Sequence, residues 1–364
     1  MIDEGSRRKN AGRGAGIEKE RVGGDADAAL PVRPKKYASS VDVASLAGVS
    51  QSAVSRTFKV GASVSEATRQ KVLAAAKALD YRPSLIPRIM LTHRSQLVAI
   101  VVGGLYNPFY SMVLEQFLIR LQRAGKQVLM VHVNSDSSLD AVIPKLASYR
   151  VDAVVSALSV FSARTADELA RLRIPVVAFN TPLTSLWLSS VCCDNYEAGR
   201  TIADLFLRRG ARRFGYLAGV DASPANSERL AGYRSLLEEA GYGPVKIGPA
   251  KFRYDGGHQA ALAMFGRPRP PEALFCANDL SALGAIDALR KLGFRVPEDV
   301  LVAGFDDIPP AAWDAYQLTT FLQDGTRMVE ETVKLIEQAL AQEPTSAGVP
   351  LVVPVKLVER KTTQ

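Results

Sequence analysis

Four polar residues at the start of one short segment have the side chain types that bind DNA. They are Gln51, Ser52, Ser55 and Arg56. An amide, two small hydroxyls and a guanidinium can hydrogen-bond to base edges in the major groove and to phosphate oxygens. Their types and spacing therefore predict a helix that reads DNA.

Two short helices around a tight turn would position these four residues. Gly48 stands where the turn is expected, because glycine tolerates the backbone conformation that ends a helix, and Ser50 can cap the second helix. The apolar residues expected to hold the two helices together are Val43, Leu46, Val49 and Val54. The spacing predicts a DNA-binding helix-turn-helix, and an ordinary helical hairpin is the alternative.

A third helix is predicted to cover this pair. Ser65 can cap a helix that runs to about Leu79, with Val72 and Ala76 at helical spacing on its apolar face. The helix-turn-helix would thus become a compact all-α unit.

The positive charge of the chain lies in its first quarter. The sequence has 45 Lys and Arg against 37 Asp and Glu, a net charge of +8. Up to Gln96 there are 17 basic and 9 acidic residues, which accounts for the whole excess, and from Leu97 onward each sign occurs 28 times. A basic segment attached to a neutral body indicates a polyanion as the partner of that segment.

Composition predicts a soluble cytoplasmic protein. The longest apolar runs fall short of the ~18–20 residues of a membrane helix, and the N-terminal residues lack the apolar core of a signal peptide. Three cysteines, Cys192, Cys193 and Cys276, make no disulfide framework and are expected to be buried apolar residues in a reducing compartment.

From Leu97 onward, apolar β-rich runs alternate with amphipathic helices. Near-continuous apolar strands separated by helices predict parallel sheets covered on both faces, and so many strands predict two α/β lobes. The predicted strands are 97–102, 127–133, 151–156, 176–180, 191–193, 214–217, 273–276 and 300–305, and the intervening helices include 109–124 and 227–240.

Polar and aromatic residues follow several of these strands. Ligands of parallel sheets bind beyond the carboxyl ends of the strands, so two facing lobes would form a cleft there. A carboxylate, an arginine, amides and aromatic rings suit a small polyol or a planar heterocycle. We expect Arg229 and Asp306 to face this cleft, because a charge at a strand exit rarely faces an apolar core. Asp279 is equally compatible with a helix cap, and Phe109 and Phe252 with core positions.

Seven motifs occur in order along the chain. They are DVASLAGVSQSAVSRTF, VSEATRQKVLAAAKALDYRPS, SERLAGYRSLLEEAG, CANDLSALGAIDALRKLG, VPEDVLVAGFDD, LTTF and LVERKTT. Each motif is weak evidence alone, but so many in register are specific. From about residue 40 to residue 363, the chain resembles the lactose/galactose repressor family of bacterial transcription regulators.

The resemblance implies an all-α helix-turn-helix headpiece and an α/β two-lobed periplasmic-binding-protein-like domain with parallel sheets and helices on both faces. Together with the composition, it divides the chain into five parts. They are a disordered tail (1–36), the headpiece (37–82), a hinge linker (83–96), an N-terminal effector lobe (97–193 with 326–343) and a C-terminal effector lobe (194–325 with 344–364).

The resemblance also assigns roles in the headpiece. By position, the family's major-groove readers match Gln51, Ser52 and Arg56. Its residues near phosphates match Ser50 and Ser55.

The connector 83–91 matches the hinge helix that enters the minor groove in this family. Arg88 and Met90 are the expected DNA contacts there, with Met90 as the apolar wedge that bends the duplex. Pro87 departs from the family pattern and disfavours helical geometry at the preceding residue, so we expect a late start and a short hinge helix. Ile89 is also bulkier than the residue often found at its position.

Eight residues match positions that line the effector cleft in the family. A small molecule there biases lobe closure and hence hinge order, which links the two sites. Asn180 stands where many relatives carry Asp, which removes one negative charge from the cleft. The eight residues are Phe109, Tyr110, Asn180, Ser223, Arg229, Phe252, Asn278 and Asp306.

The sequence as a whole predicts a DNA-binding transcriptional regulator, a repressor, controlled by a small molecule. A homodimer on a pseudo-palindromic operator is the simpler expectation, because no heptad repeat for a tetramer follows Thr363. Its place would be the cytoplasm, associated with the nucleoid. A sugar or sugar derivative is favoured as effector; a sugar acid and a nucleobase stay open, as does whether the ligand releases DNA or promotes its binding.

Two other classes of protein fit the sequence less well. A solute-binding protein without DNA control would also have two lobes, but the absence of a signal peptide and the basic headpiece argue against it. An enzyme is not expected, because the sequence lacks nucleophile-elbow, P-loop and zinc-ligand spacings. No cofactor and no metal are therefore expected.

Overall fold

A computed structural model describes residues 37–59, 61–83, 89, 94–103, 105–133, 142–158, 167–168 and 170–364. These residues belong to two compact units, Met1–Ser84 and Leu85–Gln364, here called the headpiece and the body. Every helix in the described ranges is too short or too polar to span a lipid bilayer. The predicted tail at residues 1–36 lies outside the described residues.

Three helices form the headpiece, as predicted. Gly48 ends the first with a left-handed φ of +65°, and the Ser50 hydroxyl caps the second by accepting a hydrogen bond from the backbone N–H of Ala53 at 3.3 Å. Ser65 caps the third in the same way. The helices are α1 (Ser40–Ala47), α2 (Gln51–Thr57) and α3 (Glu66–Ala78).

The headpiece core differs from the prediction at one residue. Val43 and Val54 are fully buried, but Leu46 is 57% exposed. The buried face of α1 is centred on Val43, Ala44 and Ala47, and the helical rotation places Leu46 outside it. The expectation that Leu46 packs between the helices was therefore wrong.

Strands and helices alternate along the described part of the body. The strands are β1 (Leu97–Val102), β2 (Gln127–His132), β3 (Ala153–Ala157), β4 (Val176–Phe179), β5 (Leu188–Cys193), β6 (Phe214–Ala218), β7 (Lys246–Pro249), β8 (Ala273–Cys276), β9 (Leu301–Ala303), β10 (Thr320–Gln323), β11 (Leu351–Val353) and β12 (Val355–Val358). The helices are α4 (Pro108–Arg123), α5 (Ile143–Ser148), α6 (Asn195–Arg208), α7 (Pro224–Glu239), α8 (Tyr254–Phe265), α9 (Asp279–Lys291) and α10 (Gly325–Ala341). Short 3₁₀ turns occupy Pro309–Ala312 and Lys361–Thr363.

Two parallel sheets form the two lobes of the body. The first lobe contains six strands in the order β11-β5-β4-β3-β1-β2, and the second contains four in the order β7-β6-β8-β9. β3 and β4 are buried along their whole length, because such strands are covered on both faces by helices. An antiparallel pair, β10 and β12, completes the body.

The C-terminal segment differs from the predicted division into lobes. Residues 344–364 were assigned to the second lobe, but β11 pairs in parallel with β5 of the first lobe, with Leu351 opposite Val191. β12 then pairs with β10. The chain therefore crosses between the lobes close to Asp194, Asp324 and Pro354. A strand of three residues is too short to show by periodicity which sheet it joins.

Helices α6 and α7 of the second lobe approach each other closely. A Cβ on Gly232 would overlap the backbone carbonyl of Tyr196 in α6, and one on Gly199 would overlap the carbonyl of Arg229 in α7. The two glycines therefore allow a backbone contact that side chains would prevent. This contact positions the part of α7 that carries Arg229.

Replacing Gly232 with alanine is expected to lower the free energy of unfolding by about 1–3 kcal/mol, the usual effect of overfilling a packed core. The measurement is urea denaturation of the full chain. Alanine normally favours a helix over glycine, so the sign of the change reports the close contact. Gly243→Ala is the control, because a Cβ there meets no atom within 4 Å. Stabilisation by Gly232→Ala would contradict the packing described.

Candidate functional site

The predicted DNA-reading residues lie together on the exposed face of α2. Its opposite face, with Ala53, Val54 and Thr57, is buried in the headpiece. All five predicted headpiece contacts are exposed: Ser50, Gln51, Ser52, Ser55 and Arg56. Amphipathic packing thus presents a continuous polar surface along this helix.

Local hydrogen bonds hold this polar surface in place. Gln51 Nε2 donates to the Ser40 hydroxyl at 2.8 Å, and the hydroxyls of Ser50 and Ser52 lie 2.9 Å apart. Arg56 Nε donates to the carbonyl of Ser52 at 3.3 Å. All three interactions are exposed to solvent, so little free energy is lost when a base edge or phosphate replaces one of them. The remaining predicted DNA contacts, Arg88 and Met90, lie outside the described residues, as does Pro87.

A cleft of about 510 Å³ lies between the two lobes of the body. Its walls are the segments that follow the carboxyl ends of β1, β3, β4, β6, β7, β8 and β9, as expected for parallel sheets. Seven of the eight predicted effector residues line it: Tyr110, Asn180, Ser223, Arg229, Phe252, Asn278 and Asp306.

The eighth predicted residue, Phe109, is absent from the cleft wall. Its side chain is 2% exposed and belongs to the core of the first lobe. The ring packs edge-to-face on Tyr110, with 5.4 Å between ring centroids. Asn107 caps α4, so the two aromatic residues are in the first helical turn, where successive side chains diverge by about 100°. Tyr110 faces the cleft and Phe109 faces the core.

Arg229 is a buried cation with neutral partners. Its side chain is 2% exposed; Nε donates to Asn195 Oδ1 at 2.9 Å and Nη1 donates to the carbonyl of Ala277. The guanidinium carbon lies 3.4 Å from the centroid of the Phe305 ring. No carboxylate of the described residues lies within 4.0 Å of its nitrogens. Hydrogen bonds and ring stacking fix the guanidinium at the cleft without an ion-pair partner.

Asp306 connects the two lobes. Its Oδ2 accepts a hydrogen bond from Asn107 Nδ2 of the first lobe at 2.9 Å, and its Oδ1 accepts one from Gln323 Nε2 at 2.6 Å. The residue is 5% exposed. Burial raises the pKa of this carboxyl to about 6, although nearby Arg229 and both hydrogen bonds act in the opposite direction.

Asp279 lies behind the cleft wall rather than on it. Asn278 provides the cap of α9, while the fully buried Asp279 carboxylate accepts hydrogen bonds from the Ile308 backbone N–H at 2.9 Å and from the Thr320 hydroxyl. Burial, followed by the neighbouring Asp306, raises its pKa well above the usual range. Asp279 is neither the helix cap nor a ligand contact, the two roles that the sequence left open.

The cleft residues that the sequence prediction missed include Tyr106, Lys251 and Arg253. The guanidinium carbon of Arg253 lies 5.2 Å from the ring centroid of Tyr106, which belongs to the opposite lobe. Nε of Arg253 also lies 2.9 Å from the Asp255 carboxylate. Lys251 and Arg253 flank the predicted Phe252, so inspection of its neighbours would have found them. The strand that they follow, β7, had not been predicted.

Several cleft residues adopt left-handed backbone conformations. The φ angles of Asn180, Lys251, Phe252 and Asp306 are 65°, 55°, 60° and 124°. Non-glycine residues rarely adopt such values, and the strain is concentrated at functional sites when the surrounding structure enforces it. The cleft therefore has a second feature typical of binding sites, in addition to its position at the carboxyl ends of the strands.

The three cysteines are buried and carry no disulfide. Burial raises the pKa of the Cys193 thiol to about 12, against the influence of Arg229. Within the described ranges, no group of three or more His, Cys, Asp or Glu side chains is arranged to hold a metal ion.

Two family descriptions match the chain. Residues 41–84 match "Bacterial regulatory proteins, lacI family", and residues 203–363 match "Periplasmic binding protein-like domain". The HTH-type transcriptional regulator CelR of Thermobifida fusca is 32% identical over 329 residues, which cover 87% of this chain and 94% of the relative.

Solved structures show the same similarity. The lac repressor dimer bound to operator and the anti-inducer ONPF has a TM-score of 0.79 and 26% identity, covering 90% of this chain and 99% of that chain. The complex of CelR with cellobiose has a TM-score of 0.66 and 31% identity, covering 89% of this chain and 99% of that chain. Both comparisons extend across headpiece and body.

Replacing Asp306 with asparagine is expected to flatten the pH dependence of the free energy of unfolding. The pKa of this carboxyl rises from 3.8 to about 6 on folding, so between these values the folded state keeps a proton that the unfolded state has lost. Wild-type stability therefore falls as the pH rises through this range, by up to about 3 kcal/mol from this group. Asp306→Asn removes that contribution.

Urea denaturation at several pH values between about pH 4 and about pH 6.5 measures this difference. Asp221→Asn is the control, because Asp221 lines the same cleft but is exposed. Equal slopes for Asp306→Asn and the wild type would contradict protonation of the buried carboxyl.

Proposed function

Because the chain belongs to the lacI family of bacterial regulatory proteins, we propose that it is a repressor whose affinity for a specific operator depends on a small molecule in the cleft. The chain is a DNA-binding transcriptional regulator with a headpiece and a two-lobed body. What we propose is that it binds a specific operator, responds to a small-molecule effector and forms a homodimer.

The exposed polar face of α2 is the observation that carries the DNA-binding proposal. Hydroxyls, an amide and the Arg56 guanidinium project from one face of a helix whose other face is fixed by packing. A rigid helix with such a polar face suits the major groove. Arg56 is the strongest candidate for base recognition, since a guanidinium can bind guanine O6 and N7 together.

The cleft supports control by a sugar or sugar derivative. Its volume lies within the usual range of small-molecule sites. The rings of Tyr110 and Phe252 offer apolar surface, while Arg229 and Asn278 offer hydrogen bonds at the same site. CelR, a relative, was solved with cellobiose.

A second copy of the chain is the proposed partner of the body. One end strand of each sheet, β2 of the first and β7 of the second, carries an exposed apolar residue, Met130 and Ile247 respectively. Met112 and Ile119, one heptad apart on α4, are exposed as well. Open strand edges with apolar side chains favour pairing with another chain, and the lac repressor in its solved complex is a dimer.

Selection of binding sites from random DNA by the full-length protein at physiological salt tests the proposal directly. A homodimer is expected to enrich a pseudo-palindrome with two half-sites. An enriched single half-site would contradict the dimer. Failure to enrich any sequence, with and without a mixture of metabolites, would favour a solute-binding protein without DNA control.

Replacing Arg56 with alanine is expected to weaken binding to the selected operator by about 1–3 kcal/mol, roughly 5- to 150-fold, because one good base contact is lost. Fluorescence anisotropy at constant salt measures the change. Lys77→Ala removes the same charge from an exposed position on α3 and is expected to have little effect. Equal losses of operator affinity in the two variants would show that Arg56 contributes only nonspecific electrostatic attraction to DNA.

Replacing Arg229 with alanine is expected to abolish the response to the effector without abolishing operator binding. The headpiece does not contain this residue, so the variant should retain operator binding while the small molecule no longer changes its operator affinity. Candidate effectors are compounds processed by enzymes encoded beside the selected operators, and operator titrations with and without them provide the measurement. Full effector response in a folded Arg229→Ala protein would exclude this arginine from the effector site.

A further inference from the structure

Building on the proposed function, we propose that helix α10 carries changes in the cleft to the hinge linker (83–96) and that Arg94 is the residue that receives them. Arg94 lies outside the cleft wall and outside helix α2, so its proposed role is to position the linker. The resemblance to the lacI family implies that the two sites are coupled, but it does not specify the route. The contacts at the two ends of α10 specify one.

The first end of α10 is attached to the buried carboxylate of the cleft. Gln323, two residues before the helix, is 4% exposed, and its Nε2 donates to Asp306 Oδ1 at 2.6 Å. Asp324 then caps the helix by accepting a hydrogen bond from the Arg327 backbone N–H at 2.9 Å. Hydrogen bonds to ionised groups are among the stronger ones, so a displacement of Asp306 also displaces the start of α10.

Helix α4 is attached to the same carboxylate and packs on α10. Asn107, the second residue that donates a hydrogen bond to Asp306, caps α4. A Cβ on Gly325, the first residue of α10, would lie 3.1 Å from a valine side chain of α4. Further along, Arg120 of α4 and Glu330 of α10 form an ion pair of 2.7 Å. The two helices that follow the donors to Asp306 are therefore packed together.

The body of α10 is long and well enough packed to move as a rigid unit. Its 17 residues span about 25 Å at a rise of about 1.5 Å per residue. Met328, Val329, Val333 and Ile336 are buried in the hydrophobic core. Closely packed interiors have low compressibility and transmit strain, so a shift at the cleft end reaches the other end of the helix.

The far end of α10 is attached to the hinge linker. The carbonyl of Leu340, in the last helical turn, accepts a hydrogen bond from Arg94 Nη2 at 2.5 Å. The two following residues are fixed by the buried Asp152 carboxylate, which accepts hydrogen bonds from the backbone N–H groups of Ser95 and Gln96 at 2.8 and 3.0 Å. Arg94 therefore precedes an anchored segment, where a shift of the helix end changes the path of the linker.

A double-mutant cycle on operator affinity tests this route without a known effector. Asp306→Asn replaces an accepting oxygen with a donor and disturbs the cleft end, while Arg94→Met keeps a long side chain but removes the donor at the linker end. Fluorescence anisotropy at constant salt measures the Kd of the wild type, both single variants and the double variant for the selected operator. The double variant is expected to deviate from the product of the two single effects by roughly threefold or more, whereas independent distant sites agree within about twofold.

Arg173→Met is the matched control for Arg94→Met. Arg173 is also an exposed arginine near the end of α10, with Nη1 at 3.3 Å from the Glu343 carboxylate, but it precedes β4 instead of following the linker. Its effect is expected to combine multiplicatively with that of Asp306→Asn. Arg94→Lys can still donate to the Leu340 carbonyl and should retain part of the coupling. Multiplicative effects for Arg94→Met, or an equal deviation for Arg173→Met, would overturn the proposal.

Hydrogen exchange of the full-length protein without DNA provides a second, independent readout. Asp306→Asn is expected to change the exchange rates of the Ser95 and Gln96 amides, and adding Arg94→Met should remove that change. Unaltered exchange in Asp306→Asn would overturn the route through α10, whether or not an operator has been selected. Altered exchange in a protein that selects no operator would support the route and overturn the proposed operator binding.

Discussion

The arrangement of the second lobe depends on the contacts of the buried Arg229 guanidinium. A charge in the interior requires hydrogen-bond partners at fixed positions, and these come from Asn195 at the start of α6 and Ala277 after β8, with the face of Phe305 beneath. Three separate segments must therefore meet near the start of α7. The contact at Gly232 satisfies this requirement, because it brings α6 close enough for Asn195 to reach the guanidinium.

Asp306 extends this constraint across the cleft. Its carboxylate holds Asn107, which also caps α4 of the first lobe, and Gln323, which immediately precedes a crossing of the chain between the lobes. A ligand that competes for this carboxylate changes a contact between the lobes and the environment of a crossing segment at once. Binding and lobe geometry are thereby joined through one side chain, which is the physical requirement for coupling two sites.

Much of this fold could be predicted from local patterns, and the errors have identifiable causes. Gly48 and Ser50 marked the turn of the headpiece because caps depend on residues only a few positions away. The buried strands β3 and β4 showed as apolar runs. β7 was missed because it is an end strand with one buried residue in four, and its sequence shows no such run. Leu46 was misplaced because helical phase, not hydrophobicity, decides which side of α1 is buried.

The position of the cleft was predictable, but the environment of its charged groups was not. Residues such as Asn180 and Asn278 could be chosen because the carboxyl ends of parallel strands gather at one edge of a sheet, and Phe109 failed for the same reason of helical phase as Leu46. The state of Asp306 depends on Asn107, 199 residues away in the sequence, and on burial that exists only after both lobes have formed. The sequence therefore identified residues that line the cleft, whereas the hydrogen bonds and burial of their charged groups follow from contacts between distant segments.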